Sequence, residues 1–382
     1  MKLLIATGIY PPEIGGPAGY VRGLASELVR RGHQVAVVTY GTEETTKLHR
    51  ADGRDFGLTV IPRTYGPLVR YCRYMLAVRR LARGVNLVYL QGPVSEGFPG
   101  MLGAWLAGKK VVLKIVGDYA WEQYQQTAAK NPELLDDFLV HRHGGKIWLF
   151  EAIERWVAKK AKRIIVPSNY LKSVVERWGI VPGKIKVVYN SIETLPSAIG
   201  RNLREEFKLE GKKIILTVVR AVPWKGGDFL CDCLKDLPED YVLVVAGDGP
   251  SLEGWKKYAE RIGVSDRVFW LGRLSRSEVA NWYRTADVFA LATGYEGFPH
   301  VVVEACSTGL PCVVSDRGGN PETKDFYPDL VTVAPYRDQK AWIEAISSSG
   351  LRTPSLTQRE CPDVLSFARM VDLTAGVLEN NL

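Results

Sequence analysis

Two carboxylates frame the most informative stretch of the chain, Glu296-Gly297-Phe298-Pro299-His300-Val301-Val302-Val303-Glu304-Ala305, which follows an apolar run at residues 288–291. The pattern predicts Glu296 in a loop and Glu304 two turns into a helix. Both then line one cleft, while the amides of residues 297–301 face an anion at the helix start. Such a cleft suits a diphosphate and a sugar together. Glutamates at this spacing also occur on ordinary solvated helices, and it is the Gly-Phe-Pro insertion that sharpens the reading. Upstream, Arg220-Ala221-Val222-Pro223-Trp224-Lys225-Gly226-Gly227 sets two cations five residues apart on one loop. A clamp on a phosphate pair requires that spacing, and two exposed cations flanking a Pro turn would show it too. A third loop, Gly8-Ile9-Tyr10-Pro11-Pro12-Glu13-Ile14-Gly15-Gly16-Pro17-Ala18-Gly19, reads as phosphate-facing or as a long surface loop. It matches neither the dinucleotide fingerprint nor the Walker A pattern.

These loops need a scaffold that delivers them from strand ends. Apolar runs at residues 3–7, 35–39, 87–90, 111–116 and 164–167 alternate with helical spacing such as Val21, Leu24 and Leu28. A second series of runs, at residues 214–219, 242–246, 268–271, 288–291 and 311–315, follows the polar stretch 191–202. The expectation is an α/β chain of two Rossmann-like, doubly wound parallel sheets facing across a cleft. The first domain spans residues 1–190 and the second 191–361, with a helix at about 362–382 packing back on the first. No repeat of fixed period and no low-complexity segment is visible.

Composition bounds the partners. At 382 residues the chain exceeds a single core, and 46% hydrophobic with 24% charged residues is ordinary for globular proteins. The start, Met1-Lys2-Leu3-Leu4-Ile5-Ala6-Thr7, is too short an apolar run for a signal peptide or a membrane span, so a cytoplasmic protein is expected. Six cysteines (Cys72, Cys231, Cys233, Cys306, Cys312 and Cys361) form no CxxC pair and read as reduced thiols. Charge is uneven: residues 1–190 hold 28 Lys and Arg against 15 acids, and residues 191–382 hold 22 against 27. The basic half therefore either faces something anionic or carries solvated helix faces. Residues 63–83 interleave Tyr65, Leu68, Tyr71, Tyr74, Met75, Val78 and Leu81 with Arg70, Arg73, Arg79, Arg80 and Arg83 at helical spacing. That stretch could lie on an anionic membrane at its inner face, clasp a lipid-linked acceptor, or bury its apolar side in the domain.

In order and separation the three loops resemble the retaining GT-B glycosyltransferases of family 4, and the resemblance spans nearly the whole chain. Supporting pieces are Pro167-Ser168-Asn169, Val187-Val188-Tyr189-Asn190-Ser191, Ala246-Gly247-Asp248-Gly249-Pro250 and Leu271-Gly272-Arg273-Leu274. The resemblance implies that Glu304 is the ribose-binding carboxylate, Glu296 the one beside the donor sugar, and Arg220 with Lys225 the diphosphate clamp. It further implies that amides around Gly297, Phe298, Pro299, His300 and Val301 meet the sugar and phosphates. Gly15 and Gly16 would approach from the first domain, and Gly272, Arg273 and Leu274 would lie at the base. Relatives often carry a histidine after the strand at 111–116, where this chain reads Gly117-Asp118-Tyr119-Ala120-Trp121-Glu122. Asp118 could take its place in catalysis or serve as a helix N-cap.

The implied chemistry is hexosyl transfer, with retention, from a UDP- or GDP-sugar to the hydroxyl of a glycan or lipid-linked glycan, as in polysaccharide or cell-envelope synthesis. Cations and helix amides would neutralise the departing diphosphate, so no metal and no cofactor is expected beyond the nucleotide-sugar co-substrate. The alternatives are a nucleotide-sugar epimerase of the same fold and a non-catalytic nucleotide-sugar or glycan-binding protein. A nucleic-acid partner is not expected, because pI near 9.0 comes without a recognition motif.

Overall fold

The computed structural model describes residues 1–13, 15–51, 53, 56–127, 133–192, 195–196, 201–349 and 362–382. Ile14 of the glycine-rich loop, most of the expected domain junction and Cys361 lie outside the described residues. The chain divides into two compact units. Unit 1 comprises Met1–Ala128, Asp136–Tyr189 and Ala368–Leu382; unit 2 comprises Ala129–Leu135 and Asn190–Phe367.

Unit 1 is built on a seven-stranded sheet. Its strands are β1 (Lys2–Ala6), β2 (Gln34–Gly41), β3 (Gly57–Pro62), β4 (Leu87–Leu90), β5 (Lys110–Lys114), β6 (Arg163–Val166) and β7 (Ile185–Val187). All pair in parallel in the order β3-β2-β1-β4-β5-β6-β7. Parallel strands covered on both faces read as unbroken apolar runs, and Leu3, Leu4, Ile5 and Ala6 are all fully buried. The first helix runs from Gly16 to Arg30, with Pro17 in its first turn. The expected loop at residues 8–19 is therefore shorter than read. Proline's fixed φ and missing N–H suit the first helical turn, so the helix begins before Gly19.

The helix Phe367–Glu379 buries Met370, Val371, Ala375 and Leu378 in the same core as Leu3, Ile5, Val21 and Leu24. Asp372 sits 2.5 Å from Arg31 at its flank. The helix Pro67–Ala82 turns Tyr74, Val78 and Ala82 inward and leaves Leu68, Val69 and Leu76 exposed. No helix among the described residues is long and apolar enough to cross a membrane.

Unit 2 repeats the plan with six parallel strands: β8 (Lys213–Val218), β9 (Tyr241–Ala246), β10 (Val268–Gly272), β11 (Val288–Leu291), β12 (Cys312–Ser315) and β13 (Val331–Ala334). Their order is β10-β9-β8-β11-β12-β13. Strand order reverses at β1/β4 in one unit and at β8/β11 in the other. In open α/β sheets ligands bind beyond the carboxyl ends of the strands at such a switch point. Cys231, Cys233, Cys306 and Cys312 are buried free thiols, and Cys72 is an exposed one.

Candidate functional site

The acidic loop and the cationic loop leave unit 2 from adjacent strands. Arg220 and Lys225 follow β8, and Glu296 follows β11, directly at the switch point. Lys225 Nζ and Glu296 Oε1 form an ion pair, both side chains being largely shielded from solvent. Gly226, in the left-handed conformation at φ 69°, packs its Cα against the Ala292 carbonyl, a place no Cβ could share. Gly294 N–H donates to the Trp224 carbonyl at 2.7 Å, and Thr293 Oγ1 lies 3.1 Å from the same oxygen. The two loops are thus tied together through backbone before any charge meets. Arg220 is exposed and, among the described residues, has no side-chain hydrogen bond or ion pair.

A third loop, after β12, supports the acidic one from behind. Gly319 N–H donates to the Glu296 carbonyl at 2.7 Å. Gly318 has φ 64°, and a Cβ there would lie 2.6 Å from both the nitrogen and the carbonyl oxygen of Glu296. Buried Ser315 donates to the Thr293 carbonyl at 2.6 Å and accepts from Asn320 Nδ2 at 2.9 Å. None of these three residues was singled out from the sequence, since each acts on backbone more than fifteen residues away.

Glu304 is the fifth residue of the helix His300–Ser307, one turn in and not two. Pro299 is the N-cap, with non-helical φ −84° and ψ 87°, and it disfavours a helical Phe298 before it. The Glu304 carboxylate lies 3.3 Å from the Tyr283 hydroxyl and 3.6 Å from Arg276 Nη2. Burial, and next the Glu304 charge, push the Tyr283 phenol well above its usual range, so it remains a donor. Gly297, Phe298 and Pro299 are buried, His300 and Val301 half-buried, and His300 Nε2 is 3.3 Å from Asn190 Nδ2. Gly272, Arg273 and Leu274 sit at the end of β10, two strands across from β8. The Gly272 carbonyl is taken by the Gly247 N–H at 2.7 Å, and Arg273 Nε lies 3.4 Å from Asp248 on the surface. Lys225 and Glu296 are therefore brought into contact, while the Gly272 segment stands apart from that pair.

In unit 1, Gly15 is the N-cap and Gly16 the first residue of the first helix. Asp118 serves as a helix N-cap, the second of its two expected parts. It is 2% exposed; Oδ1 accepts from Trp121 N–H at 2.8 Å and Oδ2 from Trp178 Nε1 at 3.2 Å. With both oxygens engaged it caps the helix Tyr119–Thr127 from within, and burial raises its pKa to about 6. Burial and the Asp118 charge likewise push Glu154 well up, although that carboxylate accepts from Tyr119 N–H at 2.7 Å.

A cavity of about 300 Å³ opens instead at the switch point of the unit 1 sheet, between the loops that follow β1, β4 and β5. Tyr40, Arg63, Arg70, Tyr71, Glu96 and Tyr119 are among its walls. Glu96 is 8% exposed and accepts from Ser95 Oγ at 2.5 Å; burial pushes its carboxyl above the usual range. Its carboxylate fills a notch left by Gly8 and Gly92, where a Cβ on Gly8 would come within 2.8 Å of Oε2. Sequence reasoning passed over Glu96. The signal was present: Glu96-Gly97-Phe98-Pro99 repeats Glu296-Gly297-Phe298-Pro299 residue for residue.

Comparison with known proteins agrees with the two-unit plan. Residues 15–191 match the family described as "Glycosyl transferase 4-like domain", and residues 200–349 match "Glycosyl transferases group 1". Alpha-monoglucosyldiacylglycerol synthase of Streptococcus pneumoniae is 24% identical, covering 96% of this chain and 82% of that protein. The GDP-mannose-dependent alpha-(1-6)-phosphatidylinositol monomannoside mannosyltransferase of Mycolicibacterium smegmatis is 23% identical, covering 84% and 82%. Anabaena HepE, solved in complex with UDP and glucose, superposes with a TM-score of 0.77 at 18% identity over the full length of both chains. The chain belongs to the GT-B glycosyltransferases of family 4.

Proposed function

We propose that the chain moves a hexose-type sugar from a UDP- or GDP-sugar to a hydroxyl of a glycan or lipid-linked glycan, with retained anomeric configuration and without a metal. The observation that carries this reading is the meeting of Lys225 with Glu296 on backbone-tied loops at the unit 2 switch point, with Arg220 exposed on the same loop. Charge develops on the leaving diphosphate as the bond from sugar C1 to its oxygen breaks. Arg220 and Lys225 offset that charge where it appears, the part a metal plays elsewhere. Glu296 accepts sugar hydroxyls beside them, and Glu304 accepts those of the ribose. The new bond forms from the acceptor oxygen to C1 on the face the diphosphate leaves. The acceptor proton passes to a phosphate oxygen, so atoms and charge balance.

Two of the relatives, a synthase of a monoglucosyl lipid and a mannosyltransferase named for a mannosylated inositol lipid, support a lipid-linked acceptor. Exposed Leu68, Val69 and Leu76 among the arginines of the helix Pro67–Ala82, with Trp105 and Leu106 on its neighbour, support peripheral contact with an anionic bilayer at the inner face of the membrane.

The test is a thermal-shift panel of UDP- and GDP-sugars, each positive followed by assay for free nucleotide diphosphate. Stabilisation by one donor with slow release supports transfer. Stabilisation without any release, also in the presence of acceptors, turns the reading to a binding protein, and no stabilisation by any donor refutes it.

A further inference from the structure

The helix Arg276–Thr285 starts directly after the Gly272-Arg273-Leu274 segment, where a capping box fixes its first turn. Glu278 accepts from the Ser275 N–H at 2.8 Å, and Ser275 Oγ from the Glu278 N–H at 3.3 Å. Arg276 and Tyr283 stand seven residues apart on this helix, two turns along one face, and both reach the same carboxylate. The Tyr283 hydroxyl lies 3.3 Å from Glu304 Oε2, and Arg276 Nη2 lies 3.6 Å from Oε1.

The two contacts differ in kind. Arg276 is exposed at the end of a long stem, where an ion pair holds its geometry weakly. Tyr283 is 1% exposed, and its ring meets Phe289 edge to face at 5.8 Å. Its carbonyl accepts from the hydroxyl of Thr308, which ends the helix that carries Glu304, at 3.4 Å. Backbone and ring are thus both fixed, and the hydroxyl has one direction to point. Phenylalanine would fill the same space without the desolvation cost of a buried hydroxyl, which only a partner offsets. The phenol stays protonated across the neutral range, so Tyr283 donates and Glu304 accepts. The last torsion of a glutamate is broad, and a fixed donor on one oxygen sets the plane in which the other can accept.

We propose that Tyr283 is a positioning residue of the donor site: its hydroxyl orients the Glu304 carboxylate, so that the ribose diol of the nucleotide meets an acceptor already in place. The inference rests on the ribose role given to Glu304 above, and the experiment separates the two. UDP, GDP and their 2′,3′-dideoxy counterparts are titrated calorimetrically into the full chain as wild type, Tyr283→Phe, Glu304→Ala, the double variant and Thr308→Val. Tyr283→Phe deletes one oxygen and keeps the ring on Phe289, so the fold is retained.

The wild type is expected to bind the diol form of its nucleotide at least about tenfold more tightly than the dideoxy form. In Tyr283→Phe that ratio should fall about fivefold through weaker binding of the diol form alone, the dideoxy form staying within about twofold of wild type. A merely structural role would weaken both forms alike. In the Glu304→Ala background, adding Tyr283→Phe should change neither form by more than about twofold. Thr308→Val, which removes the other hydroxyl joining the two helices, should keep the wild-type ratio. An unchanged ratio in Tyr283→Phe, a parallel loss of both forms, or an equal fall in Thr308→Val overturns the positioning role and leaves the donor reading standing. A wild type that binds diol and dideoxy forms equally, or binds neither nucleotide, overturns the ribose role of Glu304 and this inference with it.

Discussion

Replacing Gly318 by alanine tests whether the third loop of unit 2 sets the place of Glu296. The left-handed backbone at φ 64° costs an L-residue roughly 1 kcal/mol. The added methyl would start 2.6 Å from the Glu296 nitrogen and carbonyl oxygen, whereas ordinary contact begins at 3.4 Å, so the loops must part by about 0.8 Å. That movement stretches the 2.7 Å hydrogen bond from Gly319 to Glu296, worth about 1 kcal/mol. The sum, about 2 kcal/mol, lowers the melting temperature of a unit this size by roughly 4–8 °C. A displacement near 1 Å of a group beside the reacting sugar costs on the order of 100-fold in rate. Calorimetry on Gly318→Ala should therefore show a modest fall in Tm, and steady-state transfer a fall in kcat of about 30- to 100-fold. A kcat within twofold of wild type would refute the claim that this glycine positions Glu296.

Glu304→Ala should weaken nucleotide binding by roughly 10- to 100-fold through loss of charge-assisted hydrogen bonds, read by titration calorimetry, while Glu296→Ala mainly lowers kcat. Unchanged nucleotide affinity in Glu304→Ala would count against the ribose assignment. Asp118 has a folded pKa of about 6 against 3.8 unfolded, so its contribution to stability is fully present below pH 3.8 and is lost as pH rises through 6. Urea unfolding of the wild type should show that decline, up to about 3 kcal/mol. Asp118→Asn should flatten it, leaving the part that Glu154, raised in the same direction, contributes. Activity should survive exhaustive treatment with EDTA, and a loss restored by added divalent metal would overturn metal-independent transfer.

Except for the edge strand β10, the strands readable from sequence are those with a neighbouring strand on both edges. Residues 87–90 and 288–291 are apolar throughout because neighbours cover both faces and both edges. The three strands that escaped, β3, β7 and β13, are edge strands; β3 begins with glycine and ends with proline, and β7 has three residues with an exposed lysine in the middle. Lys225 and Glu296 were legible because the residue types and their places after strands limit what they can do. The N-cap role of Asp118 was legible beside a catalytic alternative, whereas its bond from Trp178, sixty residues on, and its burial are not encoded locally. Gly318 and Gly319 were invisible for the same reason: the backbone they fit against belongs to another loop.

The helix Phe367–Glu379 completes the core of unit 1, yet in chain order it comes after all of unit 2. On a ribosome the apolar stripe formed by Val21, Leu24 and Leu28 emerges long before Met370, Val371 and Leu378 exist to cover it. Unit 2, continuous from Asn190 to Phe367 apart from residues 129–135, has its whole sheet translated first. Nascent unit 1 must wait with part of its apolar surface bare, so chaperone demand during translation falls on the earlier-made half. Stop codons just before residue 368 should yield a chain in which the amino-terminal unit, and not the nearer one, is the half that fails to hold together.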